Sequence, residues 1–355
     1  MPRPRPGRAL HYRHVMHPCA VGALHQITEH RRFDPAGLTL STSRELAAAP
    51  DGRLAPVVLD RLDGVAAMLA RSYPQVGPVR LLSPVTGLLA ETARRARSAP
   101  ASERQRLVRT LAHLGVLAGH MSFDLGQTGY VDGYFAGALG AVDEAGDSDM
   151  RVWALASWSV VPVNSQAPAS ASEVLDAAVG LARRGRSRSR FAWVLALRAR
   201  AVADLGERRQ ALALLSDAYD ALAGQDTRDE RHPTDFFDLA RLDAAAGACL
   251  LQLGRYAEAT DALSRALSAR PATDRKGRSL ALLELAAAHV RQDEPDEACR
   301  IATAAVSGVD ADVLVAPVVR RAGQVVASLQ LHSSRPAVVD LRQMLHQTIT
   351  NGGRQ

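Results

Sequence analysis

The segment from Ala240 to Thr273 constrains the fold most tightly. Gly247, Leu250, Gly254, Tyr256, Ala259, Leu263, Ala266 and Pro271 fall at spacings of 3, 4, 2, 3, 4, 3 and 5. Steps of three and four residues are those of a helix face. Gly247 and Ala259 are small enough to let the two helices of a hairpin approach closely. Leu250, Leu263 and Ala266 fill the seam between hairpins. Gly254 supplies a left-handed conformation at the turn, and Pro271 stops the second helix.

Weaker copies lie on both sides. Asp293-Glu-Pro-Asp-Glu-Ala298 aligns with the turn from Gly254 to Ala259, and Leu282, Leu285, Ala286 and Ala305 take the other core positions. Upstream, Leu205-Gly206 leads into Ala211, Leu215 and Ala218, with Leu195 and Ala199 on the first helix. Further upstream, Gly119 and Leu125-Gly126 lead to Tyr130, Phe135 and Ala138. A degenerate copy pairs Arg151–Val161 with Ser172–Arg184 across the loop 162–171. Equivalent alanines lie 48 and 39 residues apart, so extra residues extend helices or loops, as over Ala223–His232.

The unit resembles the tetratricopeptide repeat, a 34-residue helix-turn-helix module that stacks into a superhelix. Its turn and second helix follow the family pattern, Gly-x-Tyr-x-x-Ala closing on Ala and Pro. In the first helix Asp243, Ala246 and Leu250 replace the family's aromatic, Leu and aromatic. Ala-rich amphipathic hairpins also occur in unrelated helical bundles; several copies in one phase favour the repeat. The expected fold is therefore all-α, a right-handed α-solenoid of stacked helix hairpins. Composition agrees: 47% of residues are apolar but only 4% aromatic, so Ala, Leu and Val dominate, a mix that favours helices over strands.

A wider resemblance covers roughly residues 55–345. Asp235-Phe236-Phe237-Asp238-Leu-Ala-Arg-Leu242, with Gly247 and Leu253-Gly254-Arg255, looks like the repeat region of actinobacterial transcriptional regulators. So does Leu117-Ala-Gly119 through Phe123-Asp124 to Tyr134-Phe135 and Glu144-Ala-Gly-Asp147. In that family a helix-turn-helix domain of the xenobiotic-response-element type precedes the repeats. No recognition helix is legible in residues 1–50, where six prolines oppose one. The expectation is that the domain was lost or that the chain is read from inside a longer gene, and DNA binding is not carried over. Three regions follow: 1–50, a basic, His- and Pro-containing arm, partly disordered; 51–110, N-terminal helices packing on the array; and 111–350, the repeats. In the second region Pro84 is expected to split a helix running from Val79 to Arg97, and Ser102 to cap the next.

The formal charge is +6, almost all of it from Arg; Lys276 is the only lysine, which reads as a GC-rich coding bias. Cys19, Cys249 and Cys299 are odd in number and far apart, which fits a reducing cytoplasm rather than a disulfide framework. The longest uncharged stretch, Val152–Ser172, loses its apolar character near Val163, short of the roughly 20 residues a spanning helix needs. No membrane contact is expected. His11, His14, His17 and Cys19, with His25 and His30 nearby, are metal-ligand types, but their spacing matches no structural zinc motif, and no metal or cofactor is expected. Arg183, Arg184, Arg186, Arg188 and Arg190 form the densest basic run, on a turn between hairpins; it suits a phosphate or an acidic partner, or is simply a solvated loop.

There is no Gly-x-Ser-x-Gly elbow, phosphate loop, dinucleotide fingerprint or His-Glu-x-x-His, so no enzyme is expected. Asp124, Asp204 and Asp293 read as polar residues near helix ends. In stacked hairpins the first helices line the concave face. By repeat phase those positions are His113, Val116, His120 and Phe123; Trp193, Ala196 and Arg200; Arg241, Ala244, Ala248 and Leu251; and Leu283, Ala287 and Arg291. Aromatic, small apolar and Arg side chains together suit a protein or peptide laid in a groove. The expected function is non-catalytic regulation or scaffolding through such a partner, in transcriptional or signalling control. The alternative is a regulator contacting DNA through the arm or an upstream helix-turn-helix domain. A deep polar pocket with converging ionisable groups would overturn a purely binding role. The sequence leaves the oligomeric state open, and a dimer is compatible with it.

Overall fold

The computed structural model describes residues 37–48, 53–164, 167–224, 236–307 and 315–352. The described residues form helices and turns, with no strand among them. In chain order the helices are α1 (Gly37–Ala47), α2 (Pro56–Val76), α3 (Pro78–Ser98), α4 (Ala101–Asp124), α5 (Thr128–Ala145), α6 (Ser148–Trp158), α7 (Val160–Asn164) and α8 (Pro168–Ala182). There follow α9 (Arg188–Asp204), α10 (Arg208–Ala223), α11 (Leu239–Gln252), α12 (Tyr256–Ala269), α13 (Arg275–Arg291), α14 (Pro295–Ser307), α15 (Ala316–Ser328), a 3₁₀ turn at Gln330–His332, and α16 (Pro336–Gly352). No helix among the described residues is long and apolar enough to cross a membrane.

One turn geometry closes four hairpins. At Leu125-Gly126-Gln127, Leu205-Gly206-Glu207, Leu253-Gly254-Arg255 and Gln292-Asp293-Glu294, successive N–H groups donate to carbonyls four, three and five residues back. The middle residue takes φ of 70°, 79°, 75° and 62° respectively. These carbonyls would otherwise be orphaned at the helix end. Asp293 does here what glycine does in the other three.

Counting from that residue fixes the core. Seven positions before it stand Gly119, Ala199, Gly247 and Ala286; five after it, Val131, Ala211, Ala259 and Ala298; nine after it, Phe135, Leu215, Leu263 and Ala302. All are buried. Tyr130, expected inside, is exposed instead, because the helical phase from Gly126 turns Val131 inward. A Cβ on Gly247 would stand 2.5 Å from Leu263 Cγ, and one on Gly119 would stand 2.9 Å from the Phe135 ring. Small residues therefore set how closely the hairpin helices cross.

The N-terminal helices differ from expectation in two details. α3 runs unbroken through Pro84, held by buried Leu81, Leu82, Val85, Leu88 and Leu89. The cap of α4 is Pro100, and Ser102 falls inside its first turn. α1 forms within the stretch read as an irregular arm and packs on α2 and α3. The rest of that arm, with its His cluster, lies outside the described residues, as do residues 225–235.

Helices α2, α4, α6, α9, α11, α13 and α15 pack each on the next. Their partners α3, α5, α8, α10, α12, α14 and α16 pack against this series. The series then returns on itself, for α13 touches α2 and α15 touches α4. The chain thus forms a ring of hairpins, and the inner helices face a common centre.

Candidate functional site

At that centre lies a cavity of about 790 Å³, a size suited to a small ligand or a short peptide. Its apolar wall comes from Tyr73 and Pro74 of α2, Leu117 of α4, Trp153 of α6, and Phe236, Phe237 and Leu239 at the start of α11. Phe236 and Leu239 remain 44% and 57% exposed. Phe236 meets Trp193 edge-on at 5.1 Å, and His113 meets Trp153 edge-on at 5.1 Å. Ser189 Oγ donates to the Phe237 carbonyl at 2.5 Å, fixing the aromatic pair against α9.

Two sets of charged groups converge on the cavity. The first is built on Asp124, the last residue of α4, which is 1% exposed. Lys276 Nζ, from the first turn of α13, donates to Asp124 Oδ1 at 2.7 Å and Oδ2 at 2.5 Å. Tyr73 Oη of α2 donates to the same carboxylate, and Lys276 Nζ stands 5.7 Å from the centroid of the Tyr73 ring. Burial, then the Asp124 charge, hold the Tyr73 hydroxyl well above its ordinary pKa, so it stays a donor. One turn before Asp124, His120 lies edge-on to Phe135 at 5.5 Å. Burial, then the Lys276 charge, lower its pKa to about 4, so the ring is neutral at pH 7.

The second set joins two helix caps. Asp238 caps α11 by accepting from the Arg241 N–H at 2.9 Å, and Asp274 caps α13 by accepting from the Gly277 N–H at 3.1 Å. Arg241 bridges them: Nη1 donates to Asp238 Oδ2 at 2.5 Å and Nη2 to Asp274 Oδ2 at 3.2 Å. Arg270 Nη1 donates to that same Asp274 oxygen at 2.9 Å. Burial lowers the Arg270 pKa, with Asp274 opposing and neighbouring Arg241 and Arg278 adding to the fall. A Cβ on Gly277 would stand 1.6 Å from Arg270 Nη1, so only glycine leaves room for this guanidinium.

Of the residues expected in a groove, His113, His120 and Arg241 line the cavity. Val116, Ala196, Ala248 and Leu283 are buried between helices. Trp193 stands behind Phe236. Phe123 is half-buried, with the Arg320 guanidinium 5.6 Å from its ring centroid. Ala244, Leu251 and Ala287 are half-buried and do not line the cavity. Arg200 lies 3.8 Å from Glu284 and 3.7 Å from Asp204, and Arg291 rests on the Tyr256 hydroxyl and ring. In the basic run, Arg183, Arg184, Arg186 and Arg188 are exposed, whereas Arg190 is buried 3.5 Å from Asp149. These five do not line the cavity. Among the described residues no three His, Cys, Asp or Glu side chains cluster as metal ligands. The thiol of Cys249 is pushed up to about 12 by burial.

Repeat phase alone missed Tyr73, Asp124, Phe236, Arg270 and Lys276. Asp124 sits at a helix end as expected, but it is a buried acceptor rather than a solvated cap. The sequence did carry a signal for Lys276: a chain rich in Arg has its single lysine at this junction. No protein-family model matches the chain, and no curated protein matches it.

Proposed function

We propose that the chain is a non-catalytic regulatory protein, a tetratricopeptide-like right-handed solenoid closed on itself, whose central cavity binds a short peptide in transcriptional or signalling control. The observation that carries this reading is the cavity wall, where Phe236 and Leu239 stand exposed beside Trp153 and Tyr73. Exposed aromatic and aliphatic side chains in a concave site are the usual anchors of a bound ligand. Ionisable groups do converge here, the pattern set against a purely binding role, but the cavity wall is largely apolar and the carboxylates that line it are already engaged. Asp124, Asp238 and Asp274 all accept from cations within 3.2 Å, which leaves them as structural partners rather than bases. The junction of Tyr73, Asp124 and Lys276 ties α2, α4 and α13 together beside the cavity. A peptide touching it changes the balance between ring conformations, a route from occupancy to shape.

The test is thermal unfolding of the full chain with and without a pool of short peptides rich in apolar residues. A ligand at a hundredfold excess over its Kd stabilises by about 2.7 kcal/mol. The pool is expected to raise the midpoint of the wild-type protein and not that of Phe236→Asp. An unchanged midpoint, or an equal rise in the variant, refutes the reading.

A further inference from the structure

We propose that the loop joining α8 to α9 holds the phosphate backbone of a nucleic-acid duplex. Arg183, Arg184, Arg186 and Arg188 stand exposed within six residues. None of these four guanidiniums has a hydrogen bond or an ion pair among the described residues. Other arginines are neutralised instead: Arg151 by Asp143, Arg109 by Asp147 at 2.9 Å and Arg190 by Asp149 at 3.5 Å. Four like charges so close repel one another, yet the fold fixes them in place. The N–H groups of Arg183, Arg184 and Gly185 donate to the carbonyls of Val179, Leu181 and Ala182 at 3.0, 3.1 and 3.0 Å. Ser187 caps α9 by accepting from the Arg190 N–H at 3.0 Å, and the Arg190 side chain, 3% exposed, pins the loop to α6 through Asp149. A Cβ on Gly185 would stand 2.9 Å from Asp149 Oδ1, so glycine lets the loop lie on that anchor. A merely solvated loop needs no such bracing.

The chemistry of the loop selects the partner. Arginine presents a planar fork of donors that matches phosphate oxygens. Arg186 and Arg188 flank the amino end of α9, where the helix dipole adds to the attraction for an anion. A stable protein interface needs an apolar core, and the loop supplies only Arg, Gly and Ser. The groove of about 590 Å³ beside Arg184, between α6 and α8, supplies none either, because its large side chains Leu155 and Val174 are buried. Single strands are gripped by stacking on aromatic side chains; the nearest in sequence, Phe191 and Trp193, are half-buried and buried. A duplex asks only for positive charge, since it carries one phosphate charge per about 1.7 Å of its axis. Binding through this loop is therefore independent of base sequence. The four arginines stand outside the cavity, so the inference does not depend on what the cavity holds.

The experiment titrates the full chain into a fluorescein-labelled DNA duplex of about 20 base pairs and follows anisotropy across a salt series. Four phosphate contacts give a slope of log K against log salt of about −3 to −4, a loss of about a hundredfold in affinity between roughly 50 and 200 mM salt. The variant carrying Arg183→Gln, Arg184→Gln, Arg186→Gln and Arg188→Gln is expected to lose about 3 to 4 from the wild-type slope, and each single change about 1. A control removes the same charge elsewhere, by Gln at exposed Arg53, Arg208, Arg209 and Arg342, and is expected to keep the wild-type slope. Circular dichroism establishes that the variants are folded, and the salt series on the wild-type protein stands without them. No binding at about 50 mM salt overturns the proposal. So does a loop variant as steep as the wild type, or a control that loses as much as the loop variant. Competition identifies the source of the anion. Unlabelled duplex is expected to displace the probe at lower concentration than polyglutamate or phosphatidylglycerol vesicles matched for charge. Equal displacement by polyglutamate assigns the loop to an acidic protein, and equal displacement by vesicles to a membrane surface; either result overturns the proposal.

Discussion

Replacing Lys276 by Met removes the only cation bonded to Asp124 among the described residues and leaves a carboxylate that is 1% exposed with, among them, the Tyr73 hydroxyl as its side-chain donor. Breaking a fully buried ion pair by deleting one partner costs about 3–5 kcal/mol. Lys276 is itself 33% exposed, so solvent screens part of the interaction and the expected loss is about 2–3 kcal/mol. In a chain of this size that lowers the melting midpoint by about 3–5 °C. Asp124→Asn keeps an acceptor for Tyr73 and loses only the charge, for about 1–2 kcal/mol. If the two side chains act on each other, the double variant is less destabilised than the sum, by about 1–2 kcal/mol. Urea unfolding of all four proteins, followed by far-ultraviolet circular dichroism and by tryptophan fluorescence, measures this. A loss below about 0.5 kcal/mol for Lys276→Met, or strict additivity in the double variant, would show that the junction does not hold the ring closed.

Further outcomes are expected elsewhere. Gly247→Val forces a branched side chain onto Leu263 and is expected to destabilise by about 1–3 kcal/mol, measured by urea unfolding. Asp293→Gly relieves the one left-handed non-glycine residue among those described and is expected to stabilise by about 0.5 kcal/mol in the same assay. His120 has a folded-state pKa near 4, below its ordinary 6.5, so on acidification the unfolded chain takes up the proton first. Its contribution to stability is flat above pH 6.5, and stability falls by about 1–3 kcal/mol between pH 6.5 and 4. His120→Asn is expected to flatten that window, and a slope unchanged in the variant would assign it to other groups.

The repeat phase was legible because it rests on local geometry. A turn residue with positive φ fixes which helix faces are buried on both sides, so Gly254 and its equivalents carried the register even where Asp293 hid the pattern. The all-helical class followed from the same periodicity. The cavity was less legible because its groups meet across the ring. Asp124 and Lys276 are 152 positions apart, and nothing in either neighbourhood announces the other. Phase arguments marked His113, His120 and Arg241 on the inner helices. They did not reach Tyr73 and Phe236, which lie outside those repeat positions, or Arg270, which follows the last residue of α12. Pro84 shows the opposite case, a local breaking signal outweighed by the buried leucines around it.

A ring that returns on itself fixes its own membership. An open stack of hairpins can gain or lose a unit at either end with little effect on the remainder. Here the contacts of α13 with α2 and of α15 with α4 exist only when the intervening hairpins turn the chain through the right total angle. Duplicating or deleting one hairpin would carry Lys276 away from Asp124 and break the closure. Such a chain can diverge by substitution within each unit, and by length changes in the loops between units, while the number of units stays fixed.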